Sequence, residues 1–223
     1  MPKNPKSTQG RDAFTTQQKI LAAAEAEFAE KGFDGGRVDE IARRAGVNKA
    51  MLYYYFQSKE QLLKALTKKH FLEIAEEKKR FIQALSCDEP GAAKRIGEHS
   101  LQLFNKRKSF LRILAIEAFK NNEFAQELFR IMEAAVPHLN TATEPIDIDP
   151  DKRMQLKTNL FFFSFTPLLM YLTLGKSWTE YTDLEEQRFQ QTFLDTFHNQ
   201  TLNSLRKSFP INESEDGCQS KKS

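Results

Sequence analysis

The sequence predicts an all-α chain, a small N-terminal helical domain followed by a larger helical one. Three observations carry that reading. Gly and Pro are scarce among the 223 residues, at nine and eight, while helix-favouring Ala, Leu, Glu, Lys and Gln are plentiful. Apolar residues recur at helical spacing, and residues 1–85 contain no strand alternation of useful length. Capping residues and glycines fall where helices would start and stop.

Residues 1–14 are polar and basic, with Pro2 and Pro5, and read as a loose arm. Thr15 and Gln18 fit a capping box for a first helix with Ile20, Leu21, Ala24 and Phe28 on one stripe. Gly32 stops that helix, and residues 33–36 read as a turn. Val38, Ile41, Ala42 and Ala45 mark a short second helix that ends at Gly46. Asn48 is a good N-cap for a third, Lys49 to Phe56, with Leu52 and Phe56 facing inward. Ser58 and Gln61 offer another capping box, and a long helix runs from Lys59 to about Leu85.

Behind it, Pro90 sits at a helix start before Ala92 to Asn105, and Phe110 to Glu117 and Phe124 to Met132 lie on two more helices. Residues 141–150 read as a polar loop. Two long helices are expected at roughly 152–176 and 183–208, divided by Ser177 to Thr182. Residues 210–223 are a polar tail.

Composition excludes several classes. Met1 to Gly10 has no apolar stretch, so no secretory signal is expected. Cys87 and Cys218 show no metal or redox spacing, which suits a reducing cytoplasm. The most apolar window, Leu160 to Leu174, is shorter than the roughly 20 residues of a membrane span and reads as a buried helix, so no membrane partner is expected. Net charge is +3, with 16 Lys/Arg against 11 Asp/Glu in residues 1–84 and 17 against 19 behind. A polyanionic partner would meet the front.

Enzyme and metal signals are poor, and no cofactor is expected. Gly175-Lys176-Ser177 resembles the end of a phosphate loop, but Met170 stands where the first Gly belongs. The four histidines show no paired ligand spacing, and His70 with Glu73 reads as a surface pair. Asp147, Asp149 and Asp151 alternate like a calcium loop, but Lys152 and Thr158 occupy its Gly and Glu positions.

The second and third helices, joined by a tight turn at Gly46, form a helix-turn-helix, in which the later helix lies in the major groove of DNA. Its outer face carries Lys49, Met51, Tyr53, Tyr54 and Tyr55, a large polar-aromatic load for plain solvation. The run from Val38 to Leu62, VDEIARRAGVNKAMLYYYFQSKEQL, with Ala26-Glu27-Phe28 and Lys31-Gly32-Phe33 upstream, resembles the DNA-binding domain of the TetR family of bacterial transcriptional regulators. The resemblance covers about residues 15–65, and the rest of the chain carries no comparable motif.

The resemblance implies a three-helix DNA-binding domain over residues 15–65 and a helical ligand-binding and dimerisation domain over 66–209. Asn48, Lys49 and Ala50 would open the recognition helix, Lys49 donating to guanine and Met51 touching a thymine methyl. Tyr53 would contact phosphate, Tyr54 and Tyr55 would stand at the groove wall or one of them pack inward, and Lys59 would clamp the DNA backbone. Arg37 stands where many members have a capping Thr, so it can reach a phosphate but loses the cap. Ala50-Met51 replaces a common Gly-Thr pair, so operator sequence cannot be borrowed from relatives.

For the rear domain the resemblance implies a two-fold dimer reading near-palindromic double-stranded DNA. Its interface would draw on Leu160, Phe161, Leu168, Leu172, Phe189, Phe193 and Phe197, unless these are intramolecular core. A pocket for a small hydrophobic ligand would use Phe71, His99, Leu103, Phe110, Phe119, Phe124 and Phe163, again with core as the alternative. The implied function is a cytoplasmic repressor, not an enzyme, whose ligand moves the helix of residues 59–85 and respaces the reading heads. The competing reading is a helical small-molecule-binding or interaction protein of the same fold that does not depend on DNA.

Overall fold

A computed structural model describes residues 5–84, 92–135 and 149–208. The expected helix start at Pro90, the loop over 141–148, the start of the arm and the tail from 210 lie outside them. Among the described residues every regular element is helical. They are α1 (Pro5–Gly35), α2 (Val38–Ala45), α3 (Lys49–Tyr55), α4 (Lys59–Ala84), α5 (Ala92–Asn105), α6 (Lys108–Lys120), α7 (Asn122–Ala135), α8 (Pro150–Thr158), α9 (Thr166–Thr182) and α10 (Glu186–Ser208). A π-helical segment, Asn159–Phe165, joins α8 to α9.

The loose arm expected over residues 1–14 is helical from Pro5. Proline is at home in a first helical turn, and only Gly10 interrupts the helix-compatible residues between it and Thr15. Thr15 is therefore an interior residue rather than a cap, and Thr16 Oγ1 donates back to Asp12 O at 2.8 Å. Gly32 breaks α1 at φ 73°, a conformation costly for any residue with a Cβ, and one further turn follows to Gly35. Gly46 ends α2 at φ 68°, its N–H closing on the carbonyls of Ala42 and Arg43.

The contacts divide the chain into two compact units, residues 1–144 and 145–223. In the first, Ile20, Ala24 and Phe28 of α1 bury against Ile41 of α2, Leu52 of α3 and Leu62, Leu63 and Leu66 of α4. Phe110, Leu111 and Leu114 of α6 and Phe124 and Ile131 of α7 extend the same core behind α4. In this unit α2 packs on α1 and α3 on α2, while α4 packs on α1 and on α7.

In the second unit one helical run reaches from Pro150 to Thr182, so the break expected at Ser177 to Thr182 falls instead after it. Thr179 is buried, its hydroxyl donating to Lys176 O, and the turn waits for Asp183, which adopts φ 52°. The π segment has a local cause. Pro167 offers no N–H and its ring excludes the carbonyl four residues back, so the ladder slips to wider bonds. Both the N–H and the Oγ1 of Thr166 bond Phe161 O, five residues back.

The expectation of a buried helix over 160–174 needs correction. The run 150–182 is long and apolar enough to cross a membrane by length and composition, with a best window of mean hydropathy 1.2, and only 28% of that window is buried in the chain. Leu160, Phe165, Leu168 and Leu169 face inward, while Met170, Leu174, Trp178 and Tyr181 are exposed.

Candidate nucleic-acid interface

The third helix is built by local chemistry. Asn48 has extended backbone angles and its Oδ1 accepts the Met51 N–H at 2.7 Å, a side-chain N-cap. Leu52 is fully buried and Phe56 nearly so, which orients the rest of α3 outward. Lys49, Ala50, Met51, Tyr53 and Tyr54 are exposed, Tyr54 at 83%. Tyr55 is half-buried with its ring edge-on to Tyr54 at 5.1 Å, so it is the tyrosine that turns partly inward.

The second helix lacks a side-chain cap, as Arg37 in place of Thr foretells. Its start is pinned from α1, where the buried Glu27 accepts the Arg37 N–H at 3.3 Å. The Arg37 side chain stays exposed on the outer face. Arg44 ties the same two helices, reaching Glu30 at 2.8 and 2.7 Å and Glu27 at 3.2 Å. These contacts fix the angle at which α2 presents α3. Glu40 is held down to about 2 by hydrogen bonds and charge from Arg43 and Arg44, outweighing partial desolvation.

Two lysines expected at DNA are engaged within the protein. Lys49 Nζ lies 2.8 Å from Asp39 Oδ1 of α2, and this partner raises its pKa. Lys59 turns inward rather than toward solvent. Its Nζ donates to the carbonyls of Phe33, Asp34 and Gly36 at 2.9, 3.1 and 3.2 Å and stands 5.0 Å from the Phe33 ring centroid. These carbonyls lie at the end of α1, where helical donors run out, and although Phe33 O also accepts the Gly36 N–H at 3.3 Å, the ammonium serves all three. Lys59 thereby fastens α4 to the α1–α2 turn instead of standing free for a phosphate.

The residues expected around a ligand are dispersed. Phe110 is buried and stacks on His70 at 4.1 Å, and Phe124 is buried edge-on to Phe33. Leu103 is buried and Phe71 half-buried. His99 stacks on Phe81 at 3.9 Å, its pKa lowered by burial and its Nε2 without a hydrogen-bond partner among the described residues. Phe119 is 89% exposed, because it lies on the outer side of α6 beside Lys120, and Phe163 is an exposed residue of the second unit.

The residues expected at a dimer interface divide similarly. Leu160 and Leu168 are core, Phe161 and Leu172 are half-buried, and on α10 Phe193 stacks on Tyr171 and on Phe197, with Phe189 tilted against Tyr171 and Phe193. The 15-residue apolar window does not reveal which of its side chains look outward.

Sequence reasoning missed several partners. His70 is not a surface residue but is buried, 3.1 Å from Glu25 and 3.6 Å from Glu73. Arg107, also buried, reaches Glu77 at 2.5 Å and the carbonyl of Leu103 at 3.0 Å. Lys120 of α6 holds Asp34 at 2.6 Å and Glu117 at 2.8 Å, linking the α1–α2 turn to the helices behind. Apart from His70–Glu73, Lys120–Glu117 and the Arg107 bond to Leu103 O, which lie three or four residues apart, these contacts carry no local sequence signal, with partners up to 86 positions away.

Comparison with known proteins bears on the same region. The family model described as Bacterial regulatory proteins, tetR family, matches residues 20–66. The HTH-type transcriptional repressor SCO4008 of Streptomyces coelicolor is 40% identical over 65 residues, 29% of this chain and 34% of that protein. The HTH-type transcriptional repressor NicS of Pseudomonas putida is 46% identical over 52 residues, 23% of this chain and 24% of that protein. The chain thus spans about a third or less of the curated relatives it matches. Over more of its length it shares a fold with the transcriptional regulator FadR from Bacillus subtilis in complex with stearoyl-CoA, at TM-score 0.56 and 18% identity, covering 81% of this chain and 96% of that one. These matches agree with the helix-turn-helix geometry: residues 20–66 form a domain similar to that of the tetR family of bacterial regulatory proteins.

Proposed function

We propose that the protein is a dimeric, sequence-specific transcriptional repressor, released from its operator by a small hydrophobic ligand. The observation that carries the reading is the outer face of α3, where Lys49, Met51, Tyr53 and Tyr54 stand exposed on a helix held by a side-chain cap and a fully buried Leu52. Hydrogen-bond donors, a thioether and phenols there match base edges, thymine methyls and phosphates. Arg37 adds a cation at the start of α2. The two repressors of similar N-terminal sequence favour repression, and a protein that acts on bacterial operators works in the cytoplasm.

Dimerisation is favoured by the exposed face of α9. Met170, Leu174 and Trp178 recur every four residues and Tyr181 continues the face. A stripe flanked by Lys176, Ser177 and Glu180 suits a second copy better than lipid, which would require apolar residues all round. Two recognition helices one DNA turn apart, roughly 34–36 Å, would then read a near-palindrome. Ligand release is supported by the buried Nε2 of His99 on α5, which has no hydrogen-bond partner among the described residues and lies beside Phe81 of α4, and the shared fold is seen with stearoyl-CoA in FadR.

The test is selection of sheared genomic fragments by the purified protein at two salt concentrations, repeated with Lys49→Ala. A near-palindromic site, weakened by salt and bound more weakly but still selected by the variant, is the expected outcome. A folded dimer that enriches no sequence would transfer the function to small-molecule or partner binding alone.

A further inference from the structure

The face that would meet DNA carries a carboxylate among its cations and phenols. Asp39 lies in the first turn of α2, with 63% of its side chain exposed, and Lys49 opens α3 with 54% exposed. The 2.8 Å contact between them bridges the two helices of the motif, and Arg37 lies near enough for its charge to act on Lys49. A lysine on a free four-carbon stem can swing to the phosphate backbone, whose attraction is the same for every sequence. An exposed ion pair contributes little to stability, so this one matters chiefly for where the ammonium stands.

We propose that Asp39 is a specificity-determining residue of the DNA interface. Its carboxylate holds the Lys49 ammonium at the α2–α3 junction and away from phosphates, so that Lys49 reads base edges instead of binding any backbone. The inference rests on the DNA-binding reading above. Asp39 opposes approach to every duplex alike, and only a site that offers Lys49 a guanine edge, or Asp39 itself a cytosine amine, offsets that repulsion.

The experiment uses the full chain with the site recovered by genomic selection and a scrambled duplex of equal length, titrated across a salt series. Asp39→Asn is expected to bind the scrambled duplex about 5–10-fold tighter at low salt, with a log–log salt slope steeper by about 0.9 as one more cation reaches a phosphate. The ratio of specific to scrambled affinity falls roughly tenfold. Asp39→Glu, which keeps the carboxylate, recovers most of that ratio. In a Lys49→Ala background, Asp39→Asn leaves the ratio unchanged, because the effect passes through Lys49.

Equal tightening on both duplexes, or the same loss of ratio without Lys49, overturns the proposal in favour of bulk repulsion. A wild-type protein that selects a site while Asp39→Asn is indistinguishable from it overturns this inference alone. A wild-type protein that selects no site overturns it together with the DNA-binding reading. Circular dichroism of each variant verifies the fold.

Discussion

Replacing Lys59 by methionine keeps an unbranched apolar stem as far as Cε while deleting the ammonium. Three carbonyls, of Phe33, Asp34 and Gly36, then lose a charged donor at 2.9–3.2 Å. A hydrogen bond to a charged group contributes roughly 1.5–3 kcal/mol, and because three acceptors share one ammonium the contributions do not triple. The cation over the Phe33 ring adds roughly 0.5–1 kcal/mol. The expected loss is about 2–4 kcal/mol, or roughly 5–15 °C in Tm for a chain of this size. Thermal and urea unfolding followed by circular dichroism read that loss. Titration of folded Lys59→Met with DNA across a salt series supplies the second readout, because a lysine that neutralises a phosphate contributes about 0.9 to the slope. An unchanged Tm with a slope smaller by about one would refute the inward role and restore Lys59 to the DNA backbone.

Three further outcomes follow from the geometry. Asn48→Ala removes the acceptor of the Met51 N–H and should cost about 1 kcal/mol, with DNA affinity falling while Asn48→Ser retains most of both; equal affinity in all three proteins contradicts the cap's role. Stability should decline on acidification. Glu40 is held down to about 2 by Arg43 and Arg44, and bonds from His70 and Arg107 outweigh burial to lower Glu25 and Glu77. Carboxylates depressed in the folded state stabilise it fully above their ordinary value of 4.5, and that contribution fades as pH falls from 4.5 toward 2, so a urea midpoint constant down to pH 3 counts against these pairs. Leu174→Asp, on the exposed face of α9, should convert a dimer to a folded monomer in sedimentation and abolish binding to a two-half-site operator; a dimer that survives it must form elsewhere.

Local chemistry made most of the front half legible. Gly32, Gly46 and Asn48 announce the helix ends because a break, a left-handed cap and an N-cap each depend on atoms within four residues. The same logic failed at Thr15, where a sound capping signal lies inside a helix that Pro5 had already begun, and at Ser177, where buried Thr179 carries α9 past polar residues. In the site, the exposed Met51, Tyr53 and Tyr54 follow from the burial of Leu52, which periodicity alone predicts. The pocket and dimer residues were not legible in the same way, since a phenylalanine at helical spacing reads alike whether it fills a core, like Phe110, or stands exposed, like Phe119.

By itself the sequence determined the helical class, the order of the front helices and the face of α3 turned outward, because periodicity and caps are properties of neighbouring residues. Only the tertiary structure decided where the charges go. Lys59 finds its acceptors 23–26 positions away, Arg44 reaches Glu30 across 14 and Lys120 reaches Asp34 across 86. A flexible cation can serve a phosphate or a carbonyl equally well by its chemistry, and which one it meets depends on how packing of the apolar faces sets one helix against another.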